Sequence, residues 1–252
     1  LGIYLRRHLE DLRATLRAGL AAADGAERAA ALQSGVQALR LLLALAAEGS
    51  GAGAEYRPGQ GAAATLGQAV LLLGELEAPL WHAGWHRTFA ELYDALRPGL
   101  VALGLDPREA APALWFRRAR ARVQAVDFAG GAGAELALIE LPLAEQELSA
   151  LLVLSEEGVL RARLALGLPK SGDEAHRLVE ELPLKARQAR GYARILQLLL
   201  SPVDGADEVV WRAALDDILV ALAHFASPSE RLAQTLTILG DAYSAAAQRG
   251  QG

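Results

Sequence analysis

Cysteine is absent from all 252 residues, which excludes disulfides, thiolate nucleophiles and cysteine-ligated zinc or iron–sulfur centres together. Aromatics are scarce at 5% against 52% apolar residues, so the core has to be built chiefly from Leu, Ala and Val, the mixture of packed helices. No apolar run approaches the roughly 20 residues that cross a bilayer; Leu41 to Ala47 is too short and sits inside a Leu-periodic helix. No membrane span is expected. A basic excess is missing as well: the formal charge of −5 argues against a protein whose main task is coating nucleic acid, because that footprint is a strongly basic domain. Catalytic signatures are lacking too. No serine occupies a G-x-S-x-G elbow, and the five histidines, His8, His82, His86, His176 and His224, carry no accompanying pattern. Gly130-Gly131-Ala132-Gly133 lacks the GxxxxGK[ST] spacing of a phosphate loop and reads as a turn. The chain opens Leu1-Gly2-Ile3-Tyr4 without methionine, and Arg6, Arg7 and Glu10 interrupt any signal-peptide stretch. The start is expected to be a processing or fragment boundary, a removed targeting segment stays open, and the expected location is cytoplasmic.

What is present is mostly helical periodicity, in a chain long enough for one large domain or two small ones. Leu5, Leu9, Leu12, Leu16 and Leu20 form one stripe at helical spacing. Asp24-Gly25 breaks it and Leu32, Val36, Leu39 and Leu43 repeat it, so the first 48 residues read as a hairpin whose stripes face each other. Gly49 to Gly61 reads as a loop, and a third helix from about Ala63 carries Leu66, Val70, Leu73 and Leu76 until Pro79 kinks or ends it. The pattern resumes from Trp81 to Leu96 and stops at Arg97-Pro98-Gly99. Asp106-Pro107-Arg108-Glu109 offers an N-cap, a first-position proline and an early acid, and starts a helix expected to end near Arg117.

From Arg118 to Leu168 the spacing changes. In Ala119-Arg120-Ala121-Arg122-Val123-Gln124-Ala125 and in Leu160-Arg161-Ala162-Arg163-Leu164, small or apolar residues take every second place with polar residues between, the period of a strand. Turn residues then divide the stretch into four antiparallel strands: Arg118 to Phe128, Glu135 to Leu141, Ala150 to Ser155 and Val159 to Leu168. Gly130–Gly133, a connector from Pro142 and Glu156-Glu157-Gly158 join them. One face of this meander would be buried and the other would carry Arg118, Arg120, Arg122, Arg161 and Arg163. Beyond it, Ser171-Gly172-Asp173-Glu174 has capping-box spacing and opens a short helix to about Leu182. Pro183 separates that helix from one over Leu184 to Leu200, and Ser227-Pro228-Ser229-Glu230 starts a last one. Residues 207–225 fit a helix through Leu215, Ile218, Leu219 and Leu222, with a short strand over 207–215 as the alternative. The expected class is α+β, mainly α: a helical region over 1–117 and an α+β region over 118–252, its antiparallel sheet covered by a helical C-terminal layer.

The turn and strand Ser155-Glu156-Glu157-Gly158-Val159-Leu160-Arg161-Ala162-Arg163-Leu164, with the passage Val210-Trp211-Arg212-Ala213-Ala214-Leu215-Asp216-Asp217-Ile218-Leu219, resembles the type III secretion chaperone and YbjN-like group of small acidic α+β proteins. The resemblance covers the second half at most. It implies a dimeric protein-binding or regulatory module without an active site.

Two constellations point elsewhere. Trp81-His82-Ala83-Gly84-Trp85-His86 spaces His82 and His86 by one helical turn, so both imidazoles could reach one metal ion. The structural reading is that Trp81 and Trp85 pack while the histidines sit at a surface or groove edge. The arginine face could hold phosphate or an acidic peptide, or pair internally with Asp127, Glu135, Glu140, Glu156 and Glu157. Lys185, Arg187, Arg190 and Arg194 read as solvated charge on one helix face, paired with neighbours such as Glu180 and Glu181. Trp115-Phe116 before the arginines reads as core. The function expected is a non-enzymatic protein-interaction or regulatory module, self-associating and with no cofactor. The alternatives are a metal- or small-ligand-binding helical protein, an enzyme included, centred on Trp81, His82, Trp85 and His86, and anion or nucleic-acid binding through the arginine face.

Overall fold

The computed structural model describes residues 2–48, 58–127, 129, 133–169, 172–200 and 207–224, with residues 233, 236, 237, 240, 243 and 244 beyond them. Residues 49–57, 130–132, Ser171 and Ser227-Pro228-Ser229-Glu230 lie outside the described residues. The described elements are α1 (Gly2–Leu20), α2 (Gly25–Glu48), α3 (Pro58–His82), α4 (His86–Ala102), α5 (Pro107–Ala110), α6 (Pro112–Asp127), α7 (Gly133–Ala150), α8 (Glu156–Ala165), α9 (Gly172–Leu200) and α10 (Asp207–His224), with a 3-10 turn at Leu151–Val153. None of the described helices is long and apolar enough to cross a membrane.

The expected β-meander over 118–168 is not formed, and no strand occurs among the described residues. Arg118–Asp127 continues α6, Glu135–Leu141 lies in α7 and Pro142 falls inside that helix. Glu156-Glu157-Gly158 is the first turn of α8, where the Ser155 hydroxyl accepts from the Gly158 backbone N–H. The reason lies in the residues. Ala, Leu and Arg are among the strongest helix formers and weak strand formers. Successive residues turn about 100° in a helix, so two stripes on different sides interleave. In α6 the buried residues Leu114, Arg118 and Ala121 make one stripe, and Ala119, Val123 and Val126 the other. Superposed in sequence they imitate alternation. In α8 Val159 and Ala162 are buried, as is Leu166 just after it, while Leu164 is exposed, which is helical spacing. The strand alternative over 207–215 falls likewise, since α10 begins at Asp207. With the sheet goes the α+β class: the described chain is all helical.

Proline placement is the second correction. Helix α3 runs past Pro79 to His82, α4 runs through Pro98, and α9 is one helix through Pro183 instead of two. Proline costs an interior helix one hydrogen bond and some steric strain, about 3 kcal/mol. Buried neighbours on both sides outweigh this: Leu96 and Leu100 flank Pro98, and Leu182 and Ala186 flank Pro183. Each buried Leu contributes roughly 1.5–3 kcal/mol.

The chain divides into two compact units, Leu1–Trp115 with Ser155–Ala175, and Phe116–Leu154 with His176–Gly252. In the first, Leu32, Val36 and Leu39 of α2 are buried together with Leu66, Leu73, Leu76 and Leu80 of α3 and Phe89, Leu92 and Leu96 of α4. The α1–α2 hairpin is present, and Asp24 caps α2 by accepting from the backbone N–H of Ala26 (3.2 Å) and Glu27 (3.3 Å). The helix expected at Asp106-Pro107 is only the short α5, and α6 follows after Ala111. Its cap is nevertheless made: the Asp106 carboxylate accepts from the Arg108 backbone N–H at 2.9 Å. In the second unit Val123, Val126, Ala137, Leu141, Ala144, Ala193 and Leu196 form one core cluster. Ile195, Ala214 and Ile218 form another, with Trp211 against it.

Candidate functional site

The Trp81–His86 segment is a corner, not a helical turn of ligands. Helix α3 ends at His82, Gly84 turns the chain with φ 74°, and α4 begins at His86. A left-handed φ is what glycine adopts without a Cβ clash. His82 is exposed, whereas His86 is half-buried with its ring edge-on to Trp81, centroids 4.3 Å apart. Trp81 and Trp85 are each half-buried. Among the described residues no group of three His, Asp or Glu side chains is placed to hold a metal ion. His82 and Trp85 instead line an open groove with Leu20, Leu32, Ala78 and Pro79.

The five arginines do not share an element. Arg118, Arg120 and Arg122 lie on α6 and Arg161 and Arg163 on α8, in different units, and the sheet that would have aligned them is absent. Arg118 is buried and Arg120 stacks over Phe116 at 5.9 Å. Arg122 bonds Glu140 (2.6 Å) and Glu147 (3.0 Å) on α7. Burial opposes its charge, but the bonds to Glu147 and Glu140 outweigh burial and raise its pKa above the ordinary guanidinium value. Arg161 pairs with Glu157 at 2.7 Å and Arg163 with Glu174 at 3.0 Å.

The densest polar centre among the described residues is one that sequence reasoning missed. Asp217 of α10 is 1% exposed and accepts from three arginines of α9: Arg187 (3.1 Å), Arg190 (2.7 Å) and Arg194 (2.8 Å). Arg190 also donates to the Ser149 hydroxyl at 2.9 Å, and Arg194 to Glu145 at 2.8 Å, both on α7. The hydrogen bond to Asp217 raises the Arg190 pKa against the opposing effect of burial. Of the four basic residues read as solvated and paired with same-helix acids, Lys185 has that pairing, with Glu181 at 2.6 Å, although its side chain is half-buried. The signal was present: Asp217 falls in the buried stripe Ala214, Ile218 and Ala221, while the adjacent Asp216 is exposed. The network satisfies every charge it buries with another, which suits a structural brace holding three helices and offers no catalytic group.

Helix α7 presents the clearest unexplained surface. Its inner face buries Ala137, Leu141, Ala144 and Leu148, yet Leu138 and Ile139 are 67% and 63% exposed on the other side, beside Pro142 and Leu143. Glu135 is the one charged residue classed as exposed on this helix. A surface helix normally turns charge toward water. No protein-family model matches the chain, and no curated protein or solved structure is significantly similar to it.

Proposed function

We propose that this chain is a non-catalytic helical interaction module that self-associates through the exposed arc of α7. The observation that supports the reading is the pair Leu138 and Ile139, exposed together with Pro142 and Leu143 on a helix whose opposite face is already core. Exposed contiguous apolar surface marks partner sites. The arc is self-complementary. In an antiparallel pairing about a two-fold axis between residues 140 and 141, Leu138 meets Leu143 of the second copy, Ile139 meets Pro142, and Glu135 meets Gln146. Apolar residues then face apolar ones, and the exposed carboxylate faces an amide. Light scattering over a range of concentrations tests this: the unaltered chain forms a dimer and Leu138→Glu/Ile139→Glu a folded monomer. A chain that stays monomeric at every concentration, or a double variant that dimerises as before, overturns the reading.

A further inference from the structure

The first unit holds a feature that self-association does not use. Where the end of α1, the start of α2 and the end of α3 converge, Leu20, Leu32, Ala78 and Pro79 line an open groove of about 630 Å³ with Trp85 in its wall. That size lies within the roughly 300–1,000 Å³ of small-molecule sites. Among the described residues, Arg28 and His82 are its charged or titratable lining residues and no carboxylate lines it. Trp85 also lines a neighbouring groove along α2 with Gln33, Gln37, Arg40 and Thr88, again without a carboxylate. In a chain of net charge −5, concave surface lined by no described carboxylate repels an anion less than the rest of the surface does.

Arg28 is held ready for one. Its Nη1 donates to the carbonyl oxygens of Ala22 (2.7 Å) and Ala23 (2.9 Å), which fixes the guanidinium against the loop before α2. No carboxylate among the described residues pairs with it, so Nη2 and Nε remain for a ligand. Glu27, its neighbour in sequence, is exposed and is not among the residues lining the groove, and Asp24 is turned onto the first turn of α2 as its cap. An apolar trough with an aromatic wall and one anchored cation has the form of a site for a molecule with a hydrocarbon body and an anionic end.

We propose that this groove binds a small amphipathic monocarboxylate of the medium-chain fatty-acid type. Its hydrocarbon lies against Leu20, Leu32, Ala78, Pro79 and Trp85, its carboxylate accepts from Arg28, and His82 borders the head. The groove's lining belongs to the first unit and α7 to the second, so the proposal does not rest on the proposed self-association.

Titration of the intact protein with decanoate below its micellisation concentration and with decanol below its solubility limit, followed by amide and indole NMR shifts, tests it. Decanoate binds saturably, moves Gly25, Leu32, His82, Ala83 and Trp85, and binds about tenfold tighter than decanol, the ratio one charge-assisted hydrogen bond supplies. Arg28→Gln removes that advantage and leaves decanol affinity unchanged, while Leu138→Glu/Ile139→Glu leaves both affinities unchanged. Equal affinity for the two ligands, shifts confined to Leu138, Ile139 and Leu143, or no saturable binding each overturns the proposal. If Arg28→Gln fails to fold, the comparison of decanoate with decanol on the unaltered chain still decides.

Discussion

Among the described residues of the second unit Asp217 gathers the most ion pairs, because three guanidinium groups converge on a carboxylate that is 1% exposed. Asp217→Ala leaves those cations without their shared anion and costs about 3–5 kcal/mol, the usual result of breaking a buried pair from one side. Arg187 lies at the rim with 36% of its side chain exposed, so Arg187→Ala costs under about 1 kcal/mol. Urea unfolding followed by circular dichroism measures both, and equal losses would mean that Asp217 is no brace. Close packing backs the arrangement: a Cβ on Gly191 would stand 2.8 Å from Ile218 Cγ1 and 3.0 Å from the Ala214 carbonyl oxygen, so glycine lets α9 and α10 approach. At this scale legibility was uneven. That adjacent Asp216 and Asp217 point to different sides follows from helix geometry, and they do. Which of them meets three arginines from another helix depends on a distant segment, and local spacing carries no information about it.

Capping chemistry was readable because it is local. Asp106 accepts from the first turn of α5 as its Asp-Pro sequence indicates, and the side-chain hydrogen bond from Arg108 holds its carboxyl below the ordinary 3.8. A depressed folded-state pKa contributes stability above the unfolded value that is lost as pH falls through the folded one. Asp106→Asn keeps a capping side chain but not the charge. Its stability deficit is therefore constant above about pH 5 and shrinks below about pH 4, as thermal melts across that range will show; a deficit independent of pH would refute the assignment. The prolines were less readable, since local preference favours a break and tertiary burial decides otherwise. Pro183 sits between buried Leu182 and Ala186 inside α9, so Pro183→Ala restores a backbone donor and raises stability by about 1–3 kcal/mol. A lower melting temperature for that variant would show that the helix needs its proline. The stretch from Arg118 to Leu168 was misread for a related reason: a helix buried on two sides and a strand buried on one can share a sequence pattern.

For the whole molecule, the proposed self-association through α7 predicts stability that depends on concentration, because any equilibrium that consumes only folded chains raises the melting temperature as protein is added. That rise is expected for the unaltered chain and absent in Leu138→Glu/Ile139→Glu. The register is open to a direct check because the chain has no cysteine of its own. A mixture of Leu138→Cys and Leu143→Cys chains should form the mixed disulfide faster than either chain bridges to itself; failure to do so would exclude the antiparallel pairing. By itself the sequence determined that the described chain would be mainly helical, where the hairpin stripes fall, how α5 begins, and that no described helix is long and apolar enough to cross a membrane, because these follow from periodicity, composition and neighbouring residues. The tertiary structure alone decided that 118–168 is helical, that Pro98 and Pro183 lie inside continuous helices, that His82 and His86 straddle a corner, and that three arginines share one aspartate. Those outcomes depend on which faces find partners far along the chain, and burial against such partners exceeds the local preferences that a sequence displays.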